Sequence, residues 1–300
     1  MSVQRATIRS SVPAVAAGRE ALHRGATPEA LLTGMCMTMF AEAFKLPYGQ
    51  NILKRLLRPK ARGAARHTLE FESLAGLHGN LQAPSRYLVD IMSDGLTVRG
   101  VEQGPERGPL LITCNHPGVF DAMVVFARLT RTDVKVIAPP RNVLDALPHV
   151  RRHIVFVSDD PAGATATLRE SLRHLSDGGV LVTFPRGRIE PDPLLHPHAA
   201  IESVAHWSSS VNLLAKHMTG LTVIPAAVGG LVSSRARASV LARRYRTESD
   251  RDWVAATLQF MLPTYRDVKP VAVYGSPIGE GHTLQQVQAA TRELYRTLAS

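Results

Sequence analysis

From Leu96 onward, short apolar runs alternate with helical stretches, and this alternation restricts the fold more than any other feature of the chain. Leu96–Val101, Pro109–Cys114, Val134–Ala138, His153–Val157, Val180–Phe184, Leu221–Val228 and Val271–Tyr274 have the length and side chains of strands. Helical patterns fall between them at Val119–Leu129, near Asn142–Leu147, at Ala164–Leu175, within His198–Met218, and from Thr247 to about Leu262. A last one covers Leu284–Leu298. Strands separated by helices of roughly 10–15 residues are joined by crossovers, which makes neighbouring strands parallel. The predicted class is therefore α/β, with a mostly parallel central sheet flanked by helices.

The first part of the chain differs in character. Thr27-Pro28-Glu29 reads as a helix start, with threonine as cap and proline at the first position. Ala30–Phe44 follows, rich in Leu, Met and Phe, and Pro47-Tyr-Gly49 breaks it. Lys54-Arg55-Leu-Leu-Arg58-Pro-Lys60-Ala-Arg62 is a cationic cluster with interleaved leucines, suited either to an anionic bilayer surface or to a solvated helix end. His67–Leu77 and Pro84–Met92 are further helix candidates. The expected organisation is a smaller N-terminal helical domain, 1–92, and an α/β domain, 93–300.

Composition narrows the partners. The formal net charge of +10 favours an anionic partner: an acidic membrane surface, a phosphate-bearing substrate or nucleic acid. Aromatic residues make up only 5%, which argues against single-strand binding by base stacking, so no nucleic acid is expected. The two cysteines, Cys36 and Cys114, form no CxxC pair, so neither a metal cluster nor a disulfide framework is expected, and a reducing compartment is the default. No stretch approaches the ~20 apolar residues of a membrane span. The arginine- and serine-bearing start, Met1–Ser11, suits an organelle transit peptide or a frayed basic terminus, of which the second is preferred, and no secretory signal is visible. The expected location is the cytoplasm, peripheral at a membrane.

Two strand ends carry chemistry. At the first, Asn115-His116-Pro117-Gly118-Val119-Phe120-Asp121 follows the central apolar run and turns into a helix. Side chains at such a place sit on the carboxyl edge of the sheet, where open α/β folds bind ligands. Histidine with a nearby carboxylate is a simple general base, although a structural histidine and a first-turn aspartate would leave the same letters. The second strand end is Phe184-Pro185-Arg186-Gly187-Arg188.

His-x4-Asp, followed about 70 residues later by an apolar strand ending in Phe-Pro-x-Gly, resembles the glycerolipid acyltransferase superfamily of glycerol-phosphate and lysophosphatidate acyltransferases, as a divergent member. Val223-Ile-Pro225 resembles that family's last motif, a strand ending in proline, and the likeness covers roughly residues 95–230. It implies transfer of an acyl group from an acyl-CoA or acyl-carrier-protein thioester to a hydroxyl, in phospholipid biosynthesis. No bound cofactor is implied beyond that thioester co-substrate. His116 would be the base, oriented by Asp121. Asn115, Pro117, Phe184, Pro185, Arg186, Gly187 and Arg188 would line the substrate, the arginines meeting phosphate and amides near Gly187 facing phosphate or oxyanion. Cys114 reads as packing, because a thioester needs no acyl-enzyme.

The chain also departs from the family. Arg186 stands where the family has glutamate, with Glu190 displaced, and Ile154–Asp160 ends in acids where the second motif ends in a phosphate-binding arginine. The acceptor is thus open between a lipid alcohol, a polyol and an amine. The reading from a different class is a non-catalytic basic protein that binds anionic lipid or nucleic acid through its N-terminal and 235–246 arginines. A hydrolase is disfavoured, since Ser208-Ser-Ser210 lacks the glycines of a Gly-x-Ser-x-Gly elbow. His196 and His198 read as loop residues, Arg235, Arg237, Arg243, Arg244 and Arg246 as a solvated face, and Trp207 and Trp253 as core or interface.

Overall fold

A computed structural model describes residues 27–45, 51–158, 160–279 and 281–298. The Pro47-Tyr-Gly49 break and the Met1–Ser11 start lie outside the described residues. Seven strands form one sheet: β1 Thr97–Arg99, β2 Leu110–Cys114, β3 Val134–Ala138, β4 Ile154–Phe156, β5 Val180–Thr183, β6 Thr222–Gly229 and β7 Val271–Tyr274. Their order is β1-β7-β6-β2-β5-β3-β4, and every pairing is parallel except β6 with β7. The central strand β2 is buried throughout, because helices cover both faces of the sheet.

Those helices are α1 Pro28–Ala43, α2 Asn51–His78, α3 Gln82–Met92, α4 Asp121–Phe126, α5 Pro148–Arg151, α6 Pro161–Ser176, α7 Pro197–Val204, α8 Ser210–His217, α9 Ser234–Arg237, α10 Glu248–Met261 and α11 Leu284–Thr297. Alternate β2 residues divide them. Leu110, Ile112 and Cys114 join one core cluster with Phe71, Ala75, Leu88, Val89 and Val124 of α2, α3 and α4. Leu111 faces the other way, into a cluster with Leu175, Val204, Val211 and Val287 of α6, α7, α8 and α11. A third cluster joins Phe40 of α1 and Leu57 and Ala61 of α2 to Ala236 of α9 and Val254 and Leu258 of α10. The N-terminal helices thus share apolar cores with segments from far along the chain.

Local chemistry explains the helix starts. Thr27 caps α1 by accepting from Ala30 N, Asp160 caps α6 at Gly163 N, and Thr247 caps α10 at Asp250 N. Thr283 and Gln286 close a capping box on α11.

Two expectations are corrected, and one strand is as expected. The separate helices expected around residues 54–62 and 67–77 are one helix of 28 residues that runs through Pro59, with Leu57, Ala61, Ala64 and Ala65 buried on both sides of the proline. The single helix sought within His198–Met218 is two, parted around the buried Trp207. β6 runs past Pro225 to Gly229, as the expected strand Leu221–Val228 does, and Pro225 lies between the pairs Ala226↔Tyr274 and Val223↔Ile278 with its carbonyl accepting from Gly275 N at 2.8 Å.

Candidate active site

The carboxyl ends of β2 and β5 are neighbours, since Thr113 pairs with Thr183, and this brings the two motifs together. β2 ends at Cys114, and the chain turns through Asn115–Phe120 before α4 begins at Asp121. Asp121 is 1% exposed, and three N–H groups satisfy its carboxylate. His116 Nδ1 lies 2.6 Å from Oδ2, Gly118 N donates to the same oxygen at 3.0 Å, and Ala122 N donates to Oδ1 at 2.7 Å. A buried carboxylate with this many donors is held in one orientation. Because it only accepts, Nδ1 carries the proton and Nε2 presents its lone pair. The imidazole is 32% exposed, and Nε2 has no hydrogen-bond partner among the described residues.

Burial works against the imidazolium. The Asp121 carboxylate outweighs it through charge and hydrogen bond, with help from Glu190, so the His116 pKa lies above the ordinary histidine value. Arg141 opposes that rise. The Phe184 ring stands beside the imidazole, centroids 5.1 Å apart and planes tilted by 40°.

Of the remaining sequence candidates, some have their polar groups already engaged. Asn115 is fully buried; its Nδ2 donates to Val228 O and its Oδ1 accepts from Val228 N, both at 2.8 Å. It ties the exit of β2 to β6 and turns no polar atom outward. Pro117 and Pro185 are buried. The Gly187 amide donates to Phe184 O at 2.9 Å, and Gly187 takes a φ of +68°, a conformation that glycine adopts without strain. That closes the turn and leaves this amide nothing to offer an oxyanion or phosphate. Arg186 is half-buried and Arg188 exposed, and neither forms an ion pair among the described residues. Cys114 is buried, and burial beside Asp121 and Glu190 pushes its thiol well above the ordinary range, in keeping with packing.

Two further residues bear on His116: Glu190, read from the sequence only as a displaced glutamate, and Arg141, which the sequence did not single out. Glu190, 4% exposed, braces the histidine's backbone: Oε2 accepts from His116 N at 3.0 Å, and Glu190 N donates to His116 O at 2.7 Å. Its other oxygen accepts from Ser203 Oγ at 2.8 Å and Trp207 Nε1 at 2.9 Å. Burial still raises its pKa despite those donors. Arg141 follows β3 through Pro139-Pro140, is exposed, and lies close enough to His116 to bear on its protonation. The sequence held one signal for it, a cation just past a strand end, but nothing local says that β3 lies beside β5.

His196 lies in the loop before α7, as expected, with its Nε2 2.8 Å from Asp252 Oδ2, whereas His198 belongs to α7 and is corrected from a loop residue. With Glu248, His196 and Asp252 make a group of possible metal ligands whose atoms lie within 4.8 Å of one another. Arg237 donates to both carboxylates, so a guanidinium already supplies positive charge there. Arg237 is therefore not part of a solvated face, and Arg235 also has an acidic neighbour, Asp267 at 3.6 Å. Trp207 is core, as expected, whereas Trp253 is 37% exposed.

No family model matches the chain, and no curated protein does. Among solved structures it is similar to the crystal structure of the 1-acyl-sn-glycerophosphate (LPA) acyltransferase PlsC from Thermotoga maritima, with 17% identity and a TM-score of 0.46 over 90% of this chain and 96% of that one.

Proposed function

We propose that the chain transfers a fatty acyl group from an acyl-CoA or acyl-carrier-protein thioester to a hydroxyl of a glycerolipid-like acceptor, working peripherally at a membrane. One observation carries this reading: a 2.6 Å contact fixes His116 Nδ1 on a buried aspartate while Nε2 has no partner among the described residues, on a ring that solvent reaches. An acceptor hydroxyl loses its proton to Nε2 as its oxygen bonds the carbonyl carbon. The C–S bond then breaks, and the leaving thiolate can take the proton back from the imidazolium. Asp121 stabilises the charged ring between these steps.

Substrate charge has a natural counterpart. Arg141 past the end of β3, with Arg186 and Arg188 past the end of β5, suits phosphate on the acceptor or on the donor's nucleotide end. Arg141 would then do from another strand what the acidic end of β4 cannot. The chemistry needs no cofactor beyond the thioester, and Cys114 takes no part.

Thiol release from acyl-CoA of several chain lengths, measured against a panel of lysophospholipids, glycerol 3-phosphate, neutral lipid alcohols, polyols and amines, tests the proposal. Acceptor-dependent release with an acylated product by mass is the expected result. Release that no acceptor accelerates would leave the chain without this activity.

A further inference from the structure

The fold divides the arginines between residues 235 and 246 into two groups. Arg235 and Arg237 have acidic neighbours, whereas Arg243, Arg244 and Arg246 are exposed and form no ion pair among the described residues. In the same loop Val240 is 76% exposed, although its surroundings are fixed. Leu241 and Ala242 are anchored in the third core cluster, Ala242 N donates to Ser239 Oγ, and Arg243 N donates to Ser239 O. A pinned turn therefore holds an aliphatic side chain in water among three unpaired cations.

The start of α2 repeats this pattern. Arg55, Arg58 and Lys60 are exposed and form no ion pair among the described residues. Leu56 is 69% exposed, while Leu57 is buried in the same cluster as Ala242. Both segments pack on one core: Leu57 and Ala242 are buried in the third cluster and Tyr245 lies against it, while Lys45 at the end of α1 reaches Asp250 at 2.9 Å and the Tyr245 ring at 5.4 Å.

We propose that this corner, the 239–246 loop with the first turns of α2, docks on an anionic lipid bilayer. Val240 and Leu56 enter the acyl-chain boundary, and Arg55, Arg58, Arg243, Arg244 and Arg246 meet lipid phosphates. Stable attachment needs both an apolar and a cationic signal, and the corner supplies both. Nucleic acid fits it less well, because aliphatic tips offer bases no stacking surface. The lobe also borders the His116 turn: a Cβ on Gly118 would meet Leu231 at 3.3 Å, and Val232 belongs to the third core cluster. The inference does not rest on acyl transfer and stands or falls without it.

The test is flotation of the full chain, without acyl donor, with vesicles of phosphatidylcholine and with vesicles one-third phosphatidylglycerol. Binding is expected only to the anionic vesicles, weakening as salt rises. Val240→Asp should weaken it about tenfold, by loss of a buried valine. Each of Arg243→Ala and Arg244→Ala should weaken it about fivefold. Leu77→Asp, a control equally exposed but about 30 Å along α2, should change nothing. Unchanged binding in the Val240 and arginine variants, equal binding to neutral vesicles, or binding to a single-stranded oligonucleotide but not to vesicles would each overturn the proposal. All four side chains are exposed, so unchanged melting temperatures are expected to accompany these results.

Discussion

At the scale of single residues, the site turns on how one carboxylate is shared. Asp121 Oδ2 takes both the His116 ring N–H and the Gly118 backbone N–H, so ring and turn are fixed together. The sign of the electrostatics gives a prediction. Asp121 raises the His116 pKa and Arg141 lowers it, while a general base acts only when neutral. The acid limb of kcat/KM should therefore lie above the usual histidine value of about 6.5. Asp121→Asn should move that limb to lower pH while reducing the rate on the order of 10²–10⁴-fold. Arg141→Ala should move it to higher pH. Shifts of the same sign in both variants, measured across a pH series, would contradict this account. The contact of His116 with Asp121 was legible in the sequence because a local turn joins them. The contacts of Glu190 were not, since its partners come from residues 116, 203 and 207 and meet only through the fold.

At the scale of elements, the caps and strand positions could be read from short patterns, because each depends on neighbours in the chain. The antiparallel setting of β7 could not, since strand direction follows from the path of the connection, which no run of four residues encodes. The continuity of α2 is a similar case. Pro59 has no N–H for the Arg55 carbonyl, and its local signal says break. Burial of Leu57, Ala61 and Ala64 with α1 and α10, and of Ala65 in the first core cluster, outweighs that cost. Pro59 itself is exposed, so Pro59→Ala should stabilise the protein by about 1–3 kcal/mol, seen as a higher urea midpoint with an unchanged slope. A lower midpoint would show that the proline is needed where it stands.

At the scale of the whole molecule, the α/β class followed from the alternation of strands and helices. The two-part division at residue 92 marks the end of α3, and it hides how much apolar surface crosses it. Phe71, Ala75, Leu88, Val89 and Met92 pack in one cluster with Leu110, Ile112 and Val124. Residues 93–300 alone would leave that face of the sheet covered only by Phe120–Ala127 and Leu144–Val150, so the truncated chain is expected to be insoluble or to lack a cooperative melt. A sharp transition like that of the full chain would show two independently folding parts. The central claim is that a single imidazole, oriented from behind by Asp121, accepts the acceptor's proton. Acceptor-dependent thiol release by His116→Ala tests it most directly: the account predicts no release above background at an unchanged melting temperature, and full release from the folded variant would contradict it.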